Sequence, residues 1–290
     1  MRKENIDKMA KIIDGKQISM QVKMQVKEEV QQLTEQQISV CLAVVIVGND
    51  PASRVYVNNK KKACDLVGIQ SMEYALPEET TQQELLTLIE KLNQDKQING
   101  ILVQLPLPKG IDEKKVIETI SPQKDVDAFH AVNVGKIMIG NYDFLPCTPA
   151  GCMDLIRSTG VEIQGKHCVV IGRSNIVGKP MSMLMLHENA TVTICHSKTV
   201  NLKEVCQTAD ILIAAVGKAN LVTADMVKQG AVVIDVGMNR LPNGKLCGDV
   251  DFQTVQEVAG YITPVPGGVG PMTIATLMKN TVTAAKVQNQ

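Results

Sequence analysis

One stretch narrows the fold more than any other. Val169-Val170-Ile171-Gly172-Arg173-Ser174-Asn175-Ile176-Val177-Gly178-Lys179-Pro180 carries an apolar strand through a glycine turn into the start of a helix. Gly172 lets the chain turn sharply, and the helix start beyond it presents unpaired backbone N–H groups and a positive dipole end to an anion. A unit of this kind belongs to a parallel sheet with helices packed over it, and its turn suits a phosphate. The loop reads G-x-S-x-x-x-G, so Ser174 stands where the common G-x-G-x-x-G fingerprint has its second glycine. Glycine at a strand-to-helix turn also serves the backbone alone, so the loop by itself leaves a cofactor site and a plain turn both open.

The next apolar segment, Thr191-Val192-Thr193-Ile194-Cys195, leads to the position ~20 residues downstream where an NAD enzyme places an Asp or Glu for the ribose 2′-hydroxyl. Here the chain reads His196-Ser197-Lys198-Thr199. No carboxylate repels a 2′-phosphate, and Arg173, Ser197 and Lys198 are able to bind one, which favours NADP over NAD. The alternative is a solvated basic turn, the better reading for Lys198 taken alone.

Strand and helix alternate along the whole chain. Leu42 to Val47 is a continuous apolar run suited to a buried parallel strand; Asp50 caps a helix with Pro51 at its first position; Thr81-Gln82-Gln83-Glu84 is a capping box; and Ile101 to Leu105 reads as a further strand. From Ser121 to Pro149 the regular period is lost and a linker is expected, until Thr148-Pro149 opens a helix that Gly160 closes. Strands at about 167–171, 191–195, 210–215 and 231–235 then build a doubly wound nucleotide-binding sheet. A last helix from Pro271 exceeds what that sheet needs and is expected to return to the first domain. The fold class is therefore α/β in two domains: an N-terminal α/β catalytic domain, 1–147 plus the helix at about 272–290, and a C-terminal Rossmann-like domain, 148–271.

With 290 residues, 44% hydrophobic, the chain has material for two cores. Four Tyr, three Phe and no Trp leave little for base stacking, and no long basic run is present, so nucleic acid is not an expected partner. The charged start Met1-Arg2-Lys3-Glu4-Asn5 and the lack of any long apolar run argue for a cytoplasmic protein without a membrane span. The eight cysteines form no C-x-x-C pair and read as reduced packing residues, and the scattered His130, His167, His187 and His196 predict no metal site.

Chemistry is expected in the first half, across a cleft from the cofactor. Tyr56 and Lys60 lie four apart on one helix face, where a phenol beside an amine suits a flat polar substrate; a solvated surface pair is the plainer reading. Val103-Gln104-Leu105-Pro106-Leu107-Pro108 sets a carboxamide at the carboxyl end of a strand. In Asp125-Val126-Asp127 both carboxylates belong to a turn, or one points inward to a substrate amide edge or a lysine. Thr263-Pro264-Val265-Pro266-Gly267-Gly268-Val269-Gly270-Pro271-Met272-Thr273 is bare enough for a ligand to approach the backbone, although glycine also turns corners at helix starts. Pro106 and Pro266 are candidates for cis bonds.

Taken with Lys62, Lys124, and Pro146-Cys147-Thr148-Pro149, these motifs resemble, in order and over nearly the whole chain, the bifunctional methylenetetrahydrofolate dehydrogenase/methenyltetrahydrofolate cyclohydrolases. One departure is visible: Ala128 stands where the family commonly has glycine, which puts the loop geometry in question if φ there is positive. The resemblance implies NADP-dependent oxidation of 5,10-methylenetetrahydrofolate to the methenyl cation and its hydrolysis to 10-formyltetrahydrofolate. It implies catalytic roles for Lys60, Tyr56, Gln104 and Asp127, with Lys60 transferring protons in hydrolysis and held by Gln104. Folate contacts are implied at Tyr56, Lys60, Gln104, Leu105, Asp127, Pro266, Gly267 and Gly268. Cofactor contacts are implied at Gly172, Arg173, Ser174, Ser197, Gly237, Met238 and Thr276. A homodimer is also implied. Three rivals stand beside this reading: a dehydrogenase without hydrolysis, a shikimate-dehydrogenase-type oxidoreductase, and a non-catalytic folate- or NADP-binding regulator.

Overall fold

The computed structural model describes residues 9–289; the charged start at residues 1–5 lies outside them. In chain order the elements are β1 (Lys11–Ile12), α1 (Gly15–Glu35), β2 (Cys41–Val47), α2 (Pro51–Val67), β3 (Gln70–Leu76), α3 (Gln82–Gln94), β4 (Gly100–Val103), α4 (Glu113–Thr119), α5 (Ala131–Ile139) and α6 (Cys147–Ser158). There follow β5 (His167–Ile171), α7 (Gly178–His187), β6 (Thr191–Cys195), α8 (Leu202–Cys206), β7 (Ile211–Ala214), β8 (Val232–Asp235), β9 (Asn239–Arg240), β10 (Leu246–Cys247), α9 (Phe252–Val255), β11 (Tyr261–Ile262) and α10 (Val269–Gln288). The chain divides into two compact units, one of residues up to Ser19 with Thr148–Thr273, the other of Met20–Cys147 with residues from Ile274 on.

The second of these is built on a three-stranded parallel sheet in the order β3-β2-β4. β2 is buried along its whole length because both of its faces are apolar. On one face Leu85, Leu86, Ile89 and Leu92 of α3 pack with Ala43, Val45, Ile101 and Val103. Each fully buried Leu or Ile of this kind contributes roughly 1.5–3 kcal/mol. The start of α3 is fixed by the expected capping box, with Glu84 N donating to Thr81 Oγ1 and Thr81 N donating back to Glu84 Oε2. Asp50 caps α2 by accepting from Ser53 N at 2.7 Å. The last helix joins this unit: Asn280 Nδ2 donates to Val126 O and Leu145 O, both at 2.8 Å, and Gln288 Nε2 donates to Asn99 O and Gln123 O.

The other unit carries a six-stranded sheet in the order β1-β11-β8-β7-β5-β6 with every pairing parallel, and the β9–β10 hairpin beside it. Its core gathers Val169, Ile171, Leu212, Ala214 and Val233 with Cys206, Val222 and Val255. Two stretches differ from the sequence expectation. Lys11–Ile12, placed with the first domain by sequence, is an edge strand of this sheet, with Ala10 N bonded to Gln256 O and Ile13 N to Ile262 O; two residues are too few to show a period. The expected linker contains the helix α5, whose Val132, Val134, Met138 and Ile139 are exposed and so give no amphipathic signal.

Candidate active site

The site in the three-stranded unit starts from α2. Val57, Ala63, Cys64 and Val67 bury one face of that helix, and Lys60, three residues before Ala63 and four before Cys64, lies on that same face with Tyr56 one turn before it. Tyr56 is 40% exposed and Lys60 half-buried. At the end of β4, Gln104 N donates to Val45 O at 2.8 Å, extending the ladder by one residue and fixing the carboxamide at the carboxyl edge of the sheet. Lys60 Nζ donates to Gln104 Oε1 at 2.8 Å, while Gln104 Nε2 donates to Leu105 O at 2.6 Å. The second bond decides which end of the amide faces the lysine. Leu105-Pro106 and Val265-Pro266 are both cis, as the sequence suggested.

The two carboxylates of the Asp-Val-Asp turn part company. Asp125 is buried and accepts from His130 N and Asn133 Nδ2, both at 2.8 Å, so it holds the turn. Asp127 is left for chemistry. The Cys147 thiol donates to its Oδ1 at 3.7 Å, and the charge of Lys60 acts on it. Burial pushes the Asp127 carboxyl up to about 6 against the pull of Lys60, with Asp125 adding to the rise. Burial likewise lowers the Lys60 amine from the ordinary lysine range, although Asp127 opposes this. Cys147 is driven well above the ordinary thiol range by burial and by Asp127, so it stays a neutral S–H donor. The arrangement brings together a lysine whose proton affinity burial lowers, an amide oxygen that accepts from it, and a carboxylate whose charge acts on it.

Two features here escape sequence reasoning. Cys147 reads as a packing residue until the fold brings it to Asp127, and Asn280 approaches its sulfur from α10 at 3.6 Å. The concern over Ala128 is settled: it is buried and adopts φ 57, the left-handed conformation that glycine would take without strain.

In the six-stranded unit the turns after β5, β6, β7 and β8 line one edge. Gly172 adopts φ +133, and a Cβ there would stand 2.2 Å from Ala215 O; one at Gly178 would stand 2.2 Å from Gly172 O. Glycine is therefore required at both positions for the turn to close on its neighbours. Ser174 Oγ accepts from Val177 N and Gly178 N at 3.1 and 3.3 Å and so closes the turn that leads into α7. β5 and β6 pair Ile171 with Cys195, which sets Arg173 and Ser197 each two residues past one rung, both exposed. Gly237 N donates to Asp235 Oδ1, and Met238, beyond it, is 44% exposed. Gly267, at φ +110, lies near the Lys16 side chain, and Gly268 closes on Thr263 and Pro264. This cradle fits a dinucleotide: glycines where a Cβ would clash, a helix start for phosphate, and no carboxylate at the rung that selects the ribose substituent. Thr276 lies on the portion of α10 that belongs to the three-stranded unit, buried and with its Oγ1 unpartnered.

Residues 13–127 match the family described as tetrahydrofolate dehydrogenase/cyclohydrolase, catalytic domain, and residues 146–289 match its NAD(P)-binding domain. The chain is 65% identical over 279 residues to the bifunctional protein FolD of Acetivibrio thermocellus, covering 96% of this chain and 98% of that one. Among solved structures it is similar to the FolD methylenetetrahydrofolate dehydrogenase/cyclohydrolase of Campylobacter jejuni, with TM-score 0.94 and 50% identity over 96% of this chain and 99% of that one. It is also similar to the Trypanosoma brucei methylenetetrahydrofolate dehydrogenase-cyclohydrolase complexed with NADP and an inhibitor, with TM-score 0.93 and 38% identity over 97% and 99% of the two chains.

Proposed function

The chain belongs to the tetrahydrofolate dehydrogenase/cyclohydrolase family, and from that premise we infer that it is a bifunctional enzyme, oxidising 5,10-methylenetetrahydrofolate with NADP and hydrolysing the product to 10-formyltetrahydrofolate. The observation that carries this reading is the Lys60–Gln104 bond of 2.8 Å beside the raised carboxyl of Asp127.

Bound NADP⁺ supplies the acceptor for the hydride that leaves the one-carbon bridge. The chain's own residues do the rest. Burial lowers the proton affinity of Lys60, so giving up its charge beside the methenyl cation costs it less than it would an exposed lysine. In hydrolysis, water adds to the bridging carbon and gives up a proton, which Lys60 accepts. As the carbon–N5 bond breaks, N5 takes that proton back and the hydroxyl on the carbon gives up its own to become the formyl C=O, which stays on N10; this second proton is the one released overall. Gln104 holds Lys60 in register, Tyr56 orients the ring system, and Asp127 accepts hydrogen bonds from the N–H groups of the pterin. Leu105 lines the same strand end.

Gly172, Arg173 and Ser174 hold the pyrophosphate side of the cofactor, Arg173 and Ser197 its 2′-phosphate, and Gly237-Met238 the nicotinamide ribose. Thr276 and the Pro266-Gly267-Gly268 turn complete the ligand contacts. Arg173→Ala is expected to weaken NADP by about tenfold or more and NAD little; equal loss of both in binding titrations would contradict the 2′-phosphate role. The domain division proposed gives Met20–Cys147 with the chain from Ile274 on to folate, and Thr148–Thr273 with the β1 segment to NADP. We further propose a cytoplasmic homodimer. Its support is the eight free cysteines, which suit a reducing compartment, and the β6 edge of the six-stranded sheet with Ile194 39% exposed. A monomer by light scattering at micromolar concentration would contradict the dimer. No helix among the described residues is long and apolar enough to cross a membrane.

Assaying NADPH formation from 5,10-methylenetetrahydrofolate and, separately, hydrolysis of methenyltetrahydrofolate tests the function. Both activities are expected. NADPH formation without hydrolysis would leave a dehydrogenase only, and neither would leave a binding protein.

A further inference from the structure

We infer that Asp249 is a positioning residue for the cofactor loops: its carboxylate fills the backbone concavity after β7 and ties it to the loop after β8. The inference rests on the reading of this unit as the NADP site. Asp249 is fully buried, and both of its oxygens are occupied. Oδ2 accepts from Val216 N at 2.7 Å and Gly217 N at 3.0 Å, and Oδ1 accepts from Lys218 N at 2.8 Å and Asn239 Nδ2 at 2.9 Å. Three successive N–H groups converging on one anion, with Gly217 at φ +68, form the kind of nest that binds phosphates in other proteins. Here the chain supplies the anion itself.

Asp235 fixes the backbone of that anion from the end of β8. Its Oδ1 accepts from Gly237 N and Asp249 N at 3.0 and 2.9 Å, and its Oδ2 from Val250 N at 2.9 Å. The packing leaves no slack: a Cβ on Gly237 would stand 2.2 Å from Asp249 Oδ1, and one on Gly248 1.7 Å from Asp235 Oδ2. The brace reaches the phosphate turn through Ala215, which immediately precedes the nest. Ala215 N donates to Ile171 O at 2.8 Å, and its carbonyl is the atom against which Gly172 closes. One buried carboxylate thus sets the loops after β5, β7 and β8 along the sheet edge where parallel α/β folds hold their ligands. With four donors on it, Asp249 acts through these loops and not by touching a ligand.

The test measures two things on one preparation of Asp249→Asn: NADP affinity by equilibrium titration, and cofactor-free hydrolysis of methenyltetrahydrofolate. An asparagine keeps the shape but turns an N–H₂ toward donors. NADP affinity is expected to fall about tenfold or more, with hydrolysis held within about twofold, since a hydrogen bond to a charged group is lost only in the cofactor unit. Unchanged NADP affinity, or an equal fall in both quantities, would overturn the inference. If that variant does not fold, Asn239→Ala decides, because it removes one of the four donors and leaves the backbone nest. NADP binding about threefold weaker with intact hydrolysis supports the inference, and unchanged binding overturns it. Wild-type protein that bound no NADP would instead overturn the reading of the whole unit.

Discussion

Asp125 and Asp127 are neighbours on one turn, and the fold gives them opposite duties by controlling who donates to each. Asp125 Oδ2 accepts from His130 N and Asn133 Nδ2, whereas Asp127 accepts from the weak thiol donor of Cys147 and is pushed up to about 6 by burial. In the role proposed for it the useful form is the carboxylate, which would accept from the pterin, so folate affinity is expected to fall as pH drops through about 6 and to level off above it. Asp127→Asn should abolish that acid limb in kcat/KM along with most of the affinity; an unchanged limb would assign it to another group. Ala128, next to it, gives a second residue-scale prediction. An ordinary buried Ala→Gly change loses roughly 1.5 kcal/mol through a lost methyl burial and added chain entropy. At φ 57, relief of about 1–2 kcal/mol of left-handed strain offsets that loss. Ala128→Gly should therefore shift stability by less than about 0.5 kcal/mol in denaturant unfolding, and a full loss would show that the strain is absent.

Among the elements, α10 has the clearest consequence, since Asn280 satisfies the carbonyls of both Val126 and Leu145 and so holds the segments on either side of Asp127 and Cys147. Asn280→Ala takes the amide donor from both carbonyls, leaving Val126 O the weak Cys147 thiol at 3.5 Å, and should cost about 1–3 kcal/mol. Hydrolysis should suffer beyond what lost stability explains; a variant as stable as wild type would refute the role. The elements also show what a sequence can disclose. β5, β7 and β8 were legible because strands buried on both faces read as continuous apolar runs, and β2 for the same reason. β3 was not, because Gln70–Leu76 is an edge strand, mostly exposed and without alternation. α5 was hidden by its exposed apolar residues. Of the site, Lys60 and Gln104 were readable from helix spacing and a strand end. Cys147, Asn280 and Asp249 were not, since each acts through partners brought together only by tertiary structure.

The whole molecule divides its labour between two compact units. One carries the lysine, amide and carboxylate suited to proton transfer, and the other carries the glycine turn and buried carboxylate brace suited to a dinucleotide. On the function proposed, oxidation draws on both sets of residues, whereas the proton step of hydrolysis rests on Lys60. A single change at that side chain should therefore separate the two activities. The most direct measurement is the pair of rates for Lys60→Met, with folate binding followed in parallel. Hydrolysis is predicted to fall by about a hundredfold or more, the usual worth of a positioned acid–base group, while NADPH formation and folate binding persist. Hydrolysis at the wild-type rate in this variant would contradict the account.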